Sequence, residues 1–257
     1  MKLLRLLRRY ASYMRHQKTT ARMARHNDLY IVEFPKSGIT WLSSILANMA
    51  LISSGRKEVA SFTAAHLFVP DIHITRDIGP MVYDVPPVRM IKSHAEFNPN
   101  YVFVVYLVRN PLDVMKSYFR FNQENSGNKF SSFDDFCRSD KMGVPAWKRH
   151  VRSWLEGGVI AQRVHLCKYE DLINDTVSEI ADISKNFGWN IDEHAIELAV
   201  SRSSVDEMKE SERVYKSRNP RYTMSFVRGK GDFVIEDKTI SYIEGACGEE
   251  LRLLGYR

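Results

Sequence analysis

Short apolar runs that alternate with helix-type segments constrain the fold of this 257-residue chain more than any other feature of its sequence. Residues 29–34 and 101–108 are rich in β-branched and aromatic side chains, which are typical of buried strands. Shorter runs begin near Val88 and cover 164–168. Because strands that alternate with helices form parallel sheets, we predict an α/β fold with a central parallel β-sheet flanked by helices.

Helical periodicity appears between and after these strands. No linker interrupts residues 27–257, so we expect them to form a single domain. Residues 122–143 and 210–235 are polar and irregular, and loops of that length are usually functional or mobile. The predicted helices run from Trp41 to about Leu51, from Pro111 onward, and over 144–156, 173–187, 192–200 and 237–254.

The basic charge of the chain is concentrated at its amino terminus. Residues 1–26 carry eight Lys and Arg side chains and no acidic one, which leaves 29 basic against 31 acidic residues elsewhere. Because nucleic-acid-binding domains need a basic face on the folded body, we expect no nucleic-acid partner. Leucines at helical spacing between the arginines predict a basic amphipathic segment that makes weak contact with anionic membranes through residues 1–25. A terminal helix docked on the domain is the alternative.

The loop after the first strand has the features of an anion-binding site. It reads FPKSGITW over residues 34–41, between a strand and a helix. Gly38 lets backbone N–H groups turn inward, and the helix N-terminus adds donors and the positive end of its dipole. Lys36 adds a charge, and Ser37 and Thr40 add hydroxyl donors. The GxxxxGK[ST] pattern of a Walker A motif is absent, so we predict a phosphate cradle of a different sequence. A non-binding turn is the alternative.

A second segment follows the strand 101–108. Arg109 stands at the carboxyl end of that strand, where a guanidinium can bind a phosphate through two parallel hydrogen bonds. Ser117 lies almost two turns into a helix that begins at Pro111. The alternative for Arg109 is a structural ion pair with Asp113.

A third segment contains the candidate general base. His94 follows Lys92 at the end of the short strand that begins near Val88. A neutral imidazole at a strand end can take a proton from a hydroxyl group. A structural histidine is the alternative.

Six segments, in this order along the chain, resemble the sulfotransferase family that uses 3′-phosphoadenosine-5′-phosphosulfate (PAPS). Together they span most of the chain, and their order makes the resemblance specific. They are FPKSGITW at 34–41, KSH at 92–94, RNPLDVMKSYF at 109–119, KYEDL at 168–172, SSVDEMK at 203–209 and FVRGKGDF at 226–233.

The resemblance implies a P-loop-kinase-like, PAPS-binding sulfotransferase fold and in-line transfer of a sulfuryl group from PAPS to an acceptor hydroxyl. PAP is released, and no metal is required. By similarity, His94 is the general base, Lys36 contacts the sulfate and Lys92 stabilises charge. The residues implied to hold the nucleotide are Lys36, Ser37, Gly38, Ile39 and Thr40 around the 5′-phosphate, Arg109, Ser117, Arg228, Gly229 and Lys230 around the 3′-phosphate, and Trp41, Tyr169 and Ser203 around the adenine.

Three positions depart from the family pattern. Ile39 stands where many members have Thr or Asn, so one side-chain donor to the 5′-phosphate is missing. Val205 replaces an aromatic residue that often stacks on adenine. The segment ending at Phe233 is shorter than usual, which weakens the assignment of Gly229 and Lys230 and leaves Arg228 as its best-supported residue.

The acceptor is the least constrained part of the prediction. Its candidate lining lies in residues 66–87, which include His66, Phe68, His73 and Tyr83, and in residues 122–143. Neither segment has the continuous apolar character of a steroid or phenol pocket. Because the basic amphipathic amino terminus suits work at a membrane, we expect a hydroxyl-bearing acceptor such as a saccharide or glycolipid. The oligomeric state is left open.

Other readings of the sequence are a nucleotide kinase-like phosphotransferase and a non-catalytic, nucleotide-binding module that docks at membranes. The missing Walker motifs argue against the kinase, and the joint presence of Lys36, His94, Arg109 and Ser117 argues against an inactive protein. The three cysteines show neither zinc-site nor disulfide spacing. We therefore expect a cytoplasmic enzyme, with peripheral membrane contact through its amino terminus.

Overall fold

Four parallel strands form the centre of the protein. The structure is a computed structural model that describes residues 24–61, 63–74, 83–125, 130–157, 163–220 and 234–256. In sequence order the strands are β1 (Asp28–Glu33), β2 (Arg89–Ser93), β3 (Phe103–Val108) and β4 (Arg163–Lys168), and their order in the sheet is β2-β1-β3-β4. Every pair is parallel, which confirms the predicted α/β class.

Helices connect and flank these strands. Those among the described residues are α1 (Ile39–Ser53), α2 (Ala65–Phe68), α3 (Pro111–Asn125), α4 (Phe133–Cys137), α5 (Val144–Gly157), α6 (Tyr169–Asn174), α7 (Thr176–Asn186), α8 (Glu193–Arg202), α9 (Val205–Arg218) and α10 (Asp237–Leu253). Across the described part of the chain, none of them is both long and apolar enough to cross a lipid bilayer. Most of the predicted amphipathic segment 1–26 lies outside the described residues. Arg228, Gly229 and Lys230 also lie outside them.

The core consists of two layers, one on each face of the sheet. Successive strand residues point to opposite faces. Leu29 and Ile31 therefore join the layer formed with α1, α7 and α8. Tyr30 and Val32 join the layer formed with α3, α5 and α10. Covering both faces explains why the strands read as nearly continuous apolar runs in the sequence.

The helix predicted over 173–187 is two helices. Asp175 has φ −143° and ψ 82°, which breaks the helical path between α6 and α7. Its side chain accepts a hydrogen bond from the backbone N–H of Ser178 and thereby caps α7. The predicted helix corresponds mainly to α7 and starts three residues too early, because an aspartate inside a continuous apolar pattern serves as a cap here.

The two segments predicted to be irregular both contain helix. The segment 122–143 includes the end of α3 and all of α4, and 210–235 begins with the second half of α9. Helix α9 buries little more than Met208 and Glu212, so its apolar periodicity is weak. It begins at Ser204, whose side chain accepts a hydrogen bond from the N–H of Glu207, and its acidic first turn and basic last turn suit the helix dipole.

The strand order brings the loops of interest to one edge of the sheet. After β1 the chain moves to one side for β2 and returns to the other side of β1 for β3. The carboxyl ends of β1 and β3 therefore flank a topological switch point, where open α/β sheets bind ligands. At the opposite edge, Arg89 Nη2 lies 2.6 Å from Asp28 Oδ2 in a buried ion pair that joins β2 to β1.

Candidate active site

The loop between β1 and α1 has a left-handed backbone at two positions. Lys36 has φ 78° and Gly38 has φ 118°. A Cβ atom on Gly38 would lie 2.5 and 2.6 Å from ring atoms of Tyr169, a residue that follows β4. The loop thus needs glycine here for both its conformation and its close approach to Tyr169.

We expect Gly38→Ala to lower the free energy of unfolding by about 1–3 kcal/mol and to weaken nucleotide binding, because the methyl group must displace the Tyr169 ring. Chemical denaturation and PAP titration measure the two effects. Gly55→Ala is the matched control, since Gly55 has φ +69° but nothing within 4 Å of the added Cβ. Equal losses of stability in the two variants would mean that the left-handed backbone, and not the contact with Tyr169, is the reason that position 38 needs glycine.

A buried carboxylate occupies part of the loop that the sequence assigned to phosphate. Glu33 Oε1 accepts a hydrogen bond from Lys36 N at 3.1 Å, and Oε2 accepts one from Ile39 N at 2.8 Å. The Ser37 hydroxyl donates to Phe34 O at 2.8 Å. The predicted donors at Ser37 Oγ and Ile39 N are therefore engaged within the protein, because the turn uses them to close on itself.

Other donors of the loop face no protein acceptor. Among the described residues, the structure gives no hydrogen bond for the N–H groups of Gly38 and Thr40 or for the Thr40 hydroxyl. The N-cap residue Gly38 has no capping side chain, and the Glu33 carboxylate bonds the N–H of Ile39, so the groups of Gly38 and Thr40 are the donors that remain at this helix start. These donors can bind an anion at the start of α1.

Arg109 lies beside this loop at the carboxyl end of β3. Its Nε is buried and has no hydrogen-bond partner among the described residues, and its guanidinium lies 4.2 Å from the centroid of the Tyr169 ring. Asp113 is not among the ion-pair partners in the described ranges, which leaves the structural alternative without support. A guanidinium N–H that lacks a partner in the described part of the chain, and that shares the Tyr169 ring with the loop at Gly38, suits an anionic ligand.

Aromatic residues extend the site from Arg109. The rings of Trp41 and Tyr169 lie 6.1 Å apart, edge to face, and Trp41 Nε1 donates to Ser203 O at 2.9 Å. Ser203 also lines a cleft of about 350 Å³, whose walls are formed by α9 on one side and by α1 and residues 59–61 and 63 on the other. The three residues assigned to adenine are therefore close together. Ser117 lies on α3 and is half-buried.

His94 lies just beyond β2, with carboxylates on both sides of its ring. Nδ1 is 3.4 Å from the backbone oxygen and 3.8 Å from Oε1 of Glu33. Nε2 is 3.8 Å from Asp71 Oδ2, and the backbone N–H donates to His73 Nε2 at 3.1 Å. In that bond His73 Nε2 acts as the acceptor.

A second cleft, of about 180 Å³, opens beside His94 and is lined by polar and aromatic groups. His150 also lines it, but burial, with a smaller effect from His94, lowers the pKa of His150 to about 3. His150 therefore stays neutral at physiological pH, and of the two histidines at the cleft His94 is the better candidate base. The lining residues are Phe34, Pro35, His94, Glu96, Tyr118, Lys141, Ala146, Arg149 and His150.

Two lysines bring positive charge to the same edge. Lys36 Nζ lies 4.5 Å from the centroid of the Phe121 ring on α3. Lys92 is almost fully buried near the end of β2, and burial lowers its pKa below the ordinary value of a lysine, an effect that the charges of Glu33 and Asp71 partly offset. Both cations thus have fixed surroundings before any ligand binds, as electrostatic stabilisation of a transition state requires.

Comparison with known proteins identifies the family. The sulfotransferase domain family matches residues 26–233, which is most of the chain. This chain belongs to that family. The resemblance drawn from the six segments is confirmed, and with it the enzyme class, a PAPS-dependent sulfotransferase.

Individual sulfotransferases resemble the chain over most of its length. Mouse sulfotransferase 1B1 is 30% identical over 213 residues, which cover 77% of this chain and 70% of the relative. Bovine sulfotransferase 1A1 is 28% identical over 213 residues, covering 77% and 71%.

Solved structures of the same fold include two that were determined with PAP. Retinol dehydratase in complex with retinol and PAP has a TM-score of 0.67 at 19% identity and covers 92% of this chain and 86% of that one. Mouse sulfotransferase SULT7A1 with PAP has a TM-score of 0.62 at 20% identity, covering 89% and 85%. At these identities the likeness establishes the fold of this sulfotransferase and leaves its site to be argued from its own residues.

Three residues of this sulfotransferase site were not assigned a role from sequence. Glu33 binds the loop, Asp71 faces His94, and Glu170 Oε1 accepts a hydrogen bond from Asn110 N at 2.9 Å, directly after Arg109. The only local signal for Glu33 was an acidic residue at the end of an apolar strand. No sequence pattern marked Asp71 as a site residue. It reaches the site through a backbone bridge to Lys92, which depends on the tertiary structure.

Proposed function

We propose that this chain binds PAPS at the carboxyl edge of its sheet and transfers the sulfuryl group to an acceptor hydroxyl, with His94 as the general base. The observation that carries the proposal is the convergence of four loops. Lys36, His94, Arg109 and Tyr169 follow β1, β2, β3 and β4 respectively, and parallel strands end at the same edge.

The residues at this edge fit PAPS. When bound, PAPS supplies the sulfuryl group, and its PAP portion is the leaving group. The N–H groups of Gly38 and Thr40 and the Nε of Arg109 have no partner among the residues that the structure describes; the first two suit the 5′-phosphate and the third suits the 3′-phosphate. Trp41 and Tyr169 offer aromatic surfaces for the adenine.

In this proposal the protein's side chains have two tasks, which are to stabilise developing negative charge and to accept a proton. Lys36 and Lys92 stabilise the negative charge that develops on oxygen, as preplaced cations do in phosphoryl transfer. His94 takes the proton of the acceptor hydroxyl at Nε2, because its Nδ1 faces the backbone oxygen of Glu33. Sulfuryl transfer of this kind needs positioning rather than a covalent enzyme intermediate.

We propose that the cleft beside His94 admits the acceptor. Glu96, Lys141 and Arg149 line it, and Arg149 Nε lies 3.8 Å from Glu96 Oε1. A wall with charges of both signs suits a polar molecule that carries several hydroxyl groups better than an apolar phenol or steroid. A saccharide or the head group of a glycolipid has this chemistry.

Isothermal titration calorimetry with PAP, in buffer without metal, tests the nucleotide site. We expect PAP to bind, and Arg109→Ala to weaken it roughly tenfold to a hundredfold, since a charge-assisted hydrogen bond is worth about 1.5–3 kcal/mol. Arg138→Ala is the matched control, because the Arg138 guanidinium lies 4.2 Å from the Tyr242 ring in the same kind of contact, and its ion-pair partner is Asp134.

Two results would contradict the proposal. Binding of Mg-ATP without binding of PAP would favour the kinase-like alternative. Binding of PAP without transfer from labelled PAPS to any of a panel of phenols, sterols and saccharides would favour a non-catalytic protein.

A further inference from the structure

Glu33 is a buried carboxylate at the last position of β1, and only 2% of its surface is exposed. Each of its oxygens accepts a backbone hydrogen bond from the next loop, one from Lys36 and one from Ile39. Backbone N–H donors of this kind favour the ionised form of a carboxyl group. The loop that presents Lys36 is thus held by the side chain of the strand residue before it.

The same residue contacts the ring of His94 from the other side. Its backbone oxygen is 3.4 Å and its Oε1 is 3.8 Å from Nδ1. Glu33 therefore links the nucleotide loop to the candidate base, through its side chain on the loop side and through its backbone oxygen and carboxylate on the His94 side. This contact bridges two strands whose pairing places Val32 opposite Ser93, the residue before His94.

We infer that Glu33 is a positioning residue. Its backbone oxygen and nearby carboxylate hold a proton on Nδ1 of His94, which leaves Nε2, 3.8 Å from Asp71 Oδ2, to accept one, and the same carboxylate fixes the Lys36 loop. The inference rests on the proposed role of His94 as the general base. The arrangement has the logic of the carboxylate–imidazole pair of hydrolytic enzymes, in which an anion orients the ring and stabilises it once protonated.

The electrostatics of the cluster agree with this role. Burial raises the pKa of Glu33 above its ordinary value, and the charge of His94, the N–H of Ile39 and the charge of Lys36 oppose that rise. The ionised carboxylate and the protonated imidazole therefore stabilise each other. The other charged or titratable groups around this pair are Lys36 on the loop, Asp71 and His73 after α2, Lys92 on β2, Glu96 after β2, Tyr106 on β3, Tyr118 on α3, Lys141 before α5, and Arg149 and His150 on α5.

Nuclear magnetic resonance of the full chain with labelled histidine tests the inference without an acceptor. The His94 signal is assigned by its loss in His94→Gln. In the wild type we expect the Nδ1–H tautomer from the ring ¹⁵N shifts. In Glu33→Gln we expect the midpoint of the His94 titration to fall by about one pH unit, because a nearby anion favours the protonated ring.

Glu179→Gln is the matched control. His165 Nε2 lies 3.2 Å from Glu179 Oε1 in a second carboxylate–histidine pair, away from the site. This variant should move the His165 signal and leave His94 unchanged. A merely structural Glu33 would leave the His94 midpoint where it is, and that result would overturn the inference.

If Glu33→Gln does not fold, the tautomer of His94 in the wild-type protein tests the inference by itself. A His94 ring with its proton on Nε2 would overturn the inference. Calorimetry on the same wild-type sample keeps the two proposals separate. Wild-type protein that fails to bind PAP but shows the coupled titration would refute the proposed function and support the Glu33–His94 pair.

Discussion

Replacing His94 by glutamine is expected to lower kcat for sulfuryl transfer by about 10²–10⁴-fold, the usual contribution of a positioned general base. Glutamine has a similar size but cannot take a proton from the acceptor hydroxyl. His94 lies beyond β2, whereas the residues assigned to the nucleotide follow β1, β3 and β4. The Kd for PAP should therefore stay within about twofold of the wild-type value, since the variant removes a proton acceptor and no phosphate contact.

The measurement is single-turnover transfer from labelled PAPS to an acceptor found by screening hydroxyl compounds. His194→Gln is the control, because the His194 side chain is 80% exposed on α8 and lies outside both clefts. A kcat for His94→Gln within about threefold of the wild type would exclude His94 as the base, given the expected contribution. His150 does not replace it in this role, because burial lowers the pKa of His150 to about 3.

Lys36→Met should reduce kcat by about 10²–10³-fold, comparable to the loss of an oxyanion-hole donor worth ~3 kcal/mol. Methionine keeps the length of the side chain and its contact with Phe121 but removes the charge. Hydrogen bonds from the loop backbone to Glu33 and the left-handed conformation of Gly38 hold the loop, and the substitution keeps both. The loss should therefore appear mainly in kcat and less in PAP binding.

Parallel kinetics and calorimetry on Lys36→Met separate these two effects. Lys238→Met is the control, since Lys238 is exposed and pairs with Glu236 at 2.6 Å at the start of α10. A variant that loses PAP affinity and keeps kcat would assign Lys36 to ground-state binding of the phosphates instead of to the transferring group.

The secondary structure was predictable where burial left a clear pattern. The strand predicted over 29–34 differs from β1 by one residue at each end, because a strand covered on both faces is apolar throughout. The helix predicted over 237–254 matches α10 for the same reason, since one of its faces packs in the core. Helix α9 escaped prediction because capping and charge, rather than an apolar stripe, define it.

The site was predictable as a set of residues but not as an arrangement. Motif order identified Lys36, His94, Arg109 and Tyr169, since each follows a strand in the sequence. Nothing local indicated that Ser37 and Ile39 would use their donors within the turn. The role of Glu33 was also hidden, because its partner His94 is 61 residues away in the sequence.

The sequence by itself determined the class of fold and the family, and it predicted most of the side chains of the candidate site, because strand, turn and helix patterns act over a few residues and carry their polar groups with them. Only the tertiary structure decided which of those groups meet. The order β2-β1-β3-β4 brings the Arg109 guanidinium over the ring of Tyr169, 60 residues away in the sequence. The packing of α1 and α8 in one core layer brings Trp41 into a hydrogen bond with Ser203, 162 residues away. Such contacts depend on how whole strands and helices pack, and packing is a property of the assembled core rather than of any short segment.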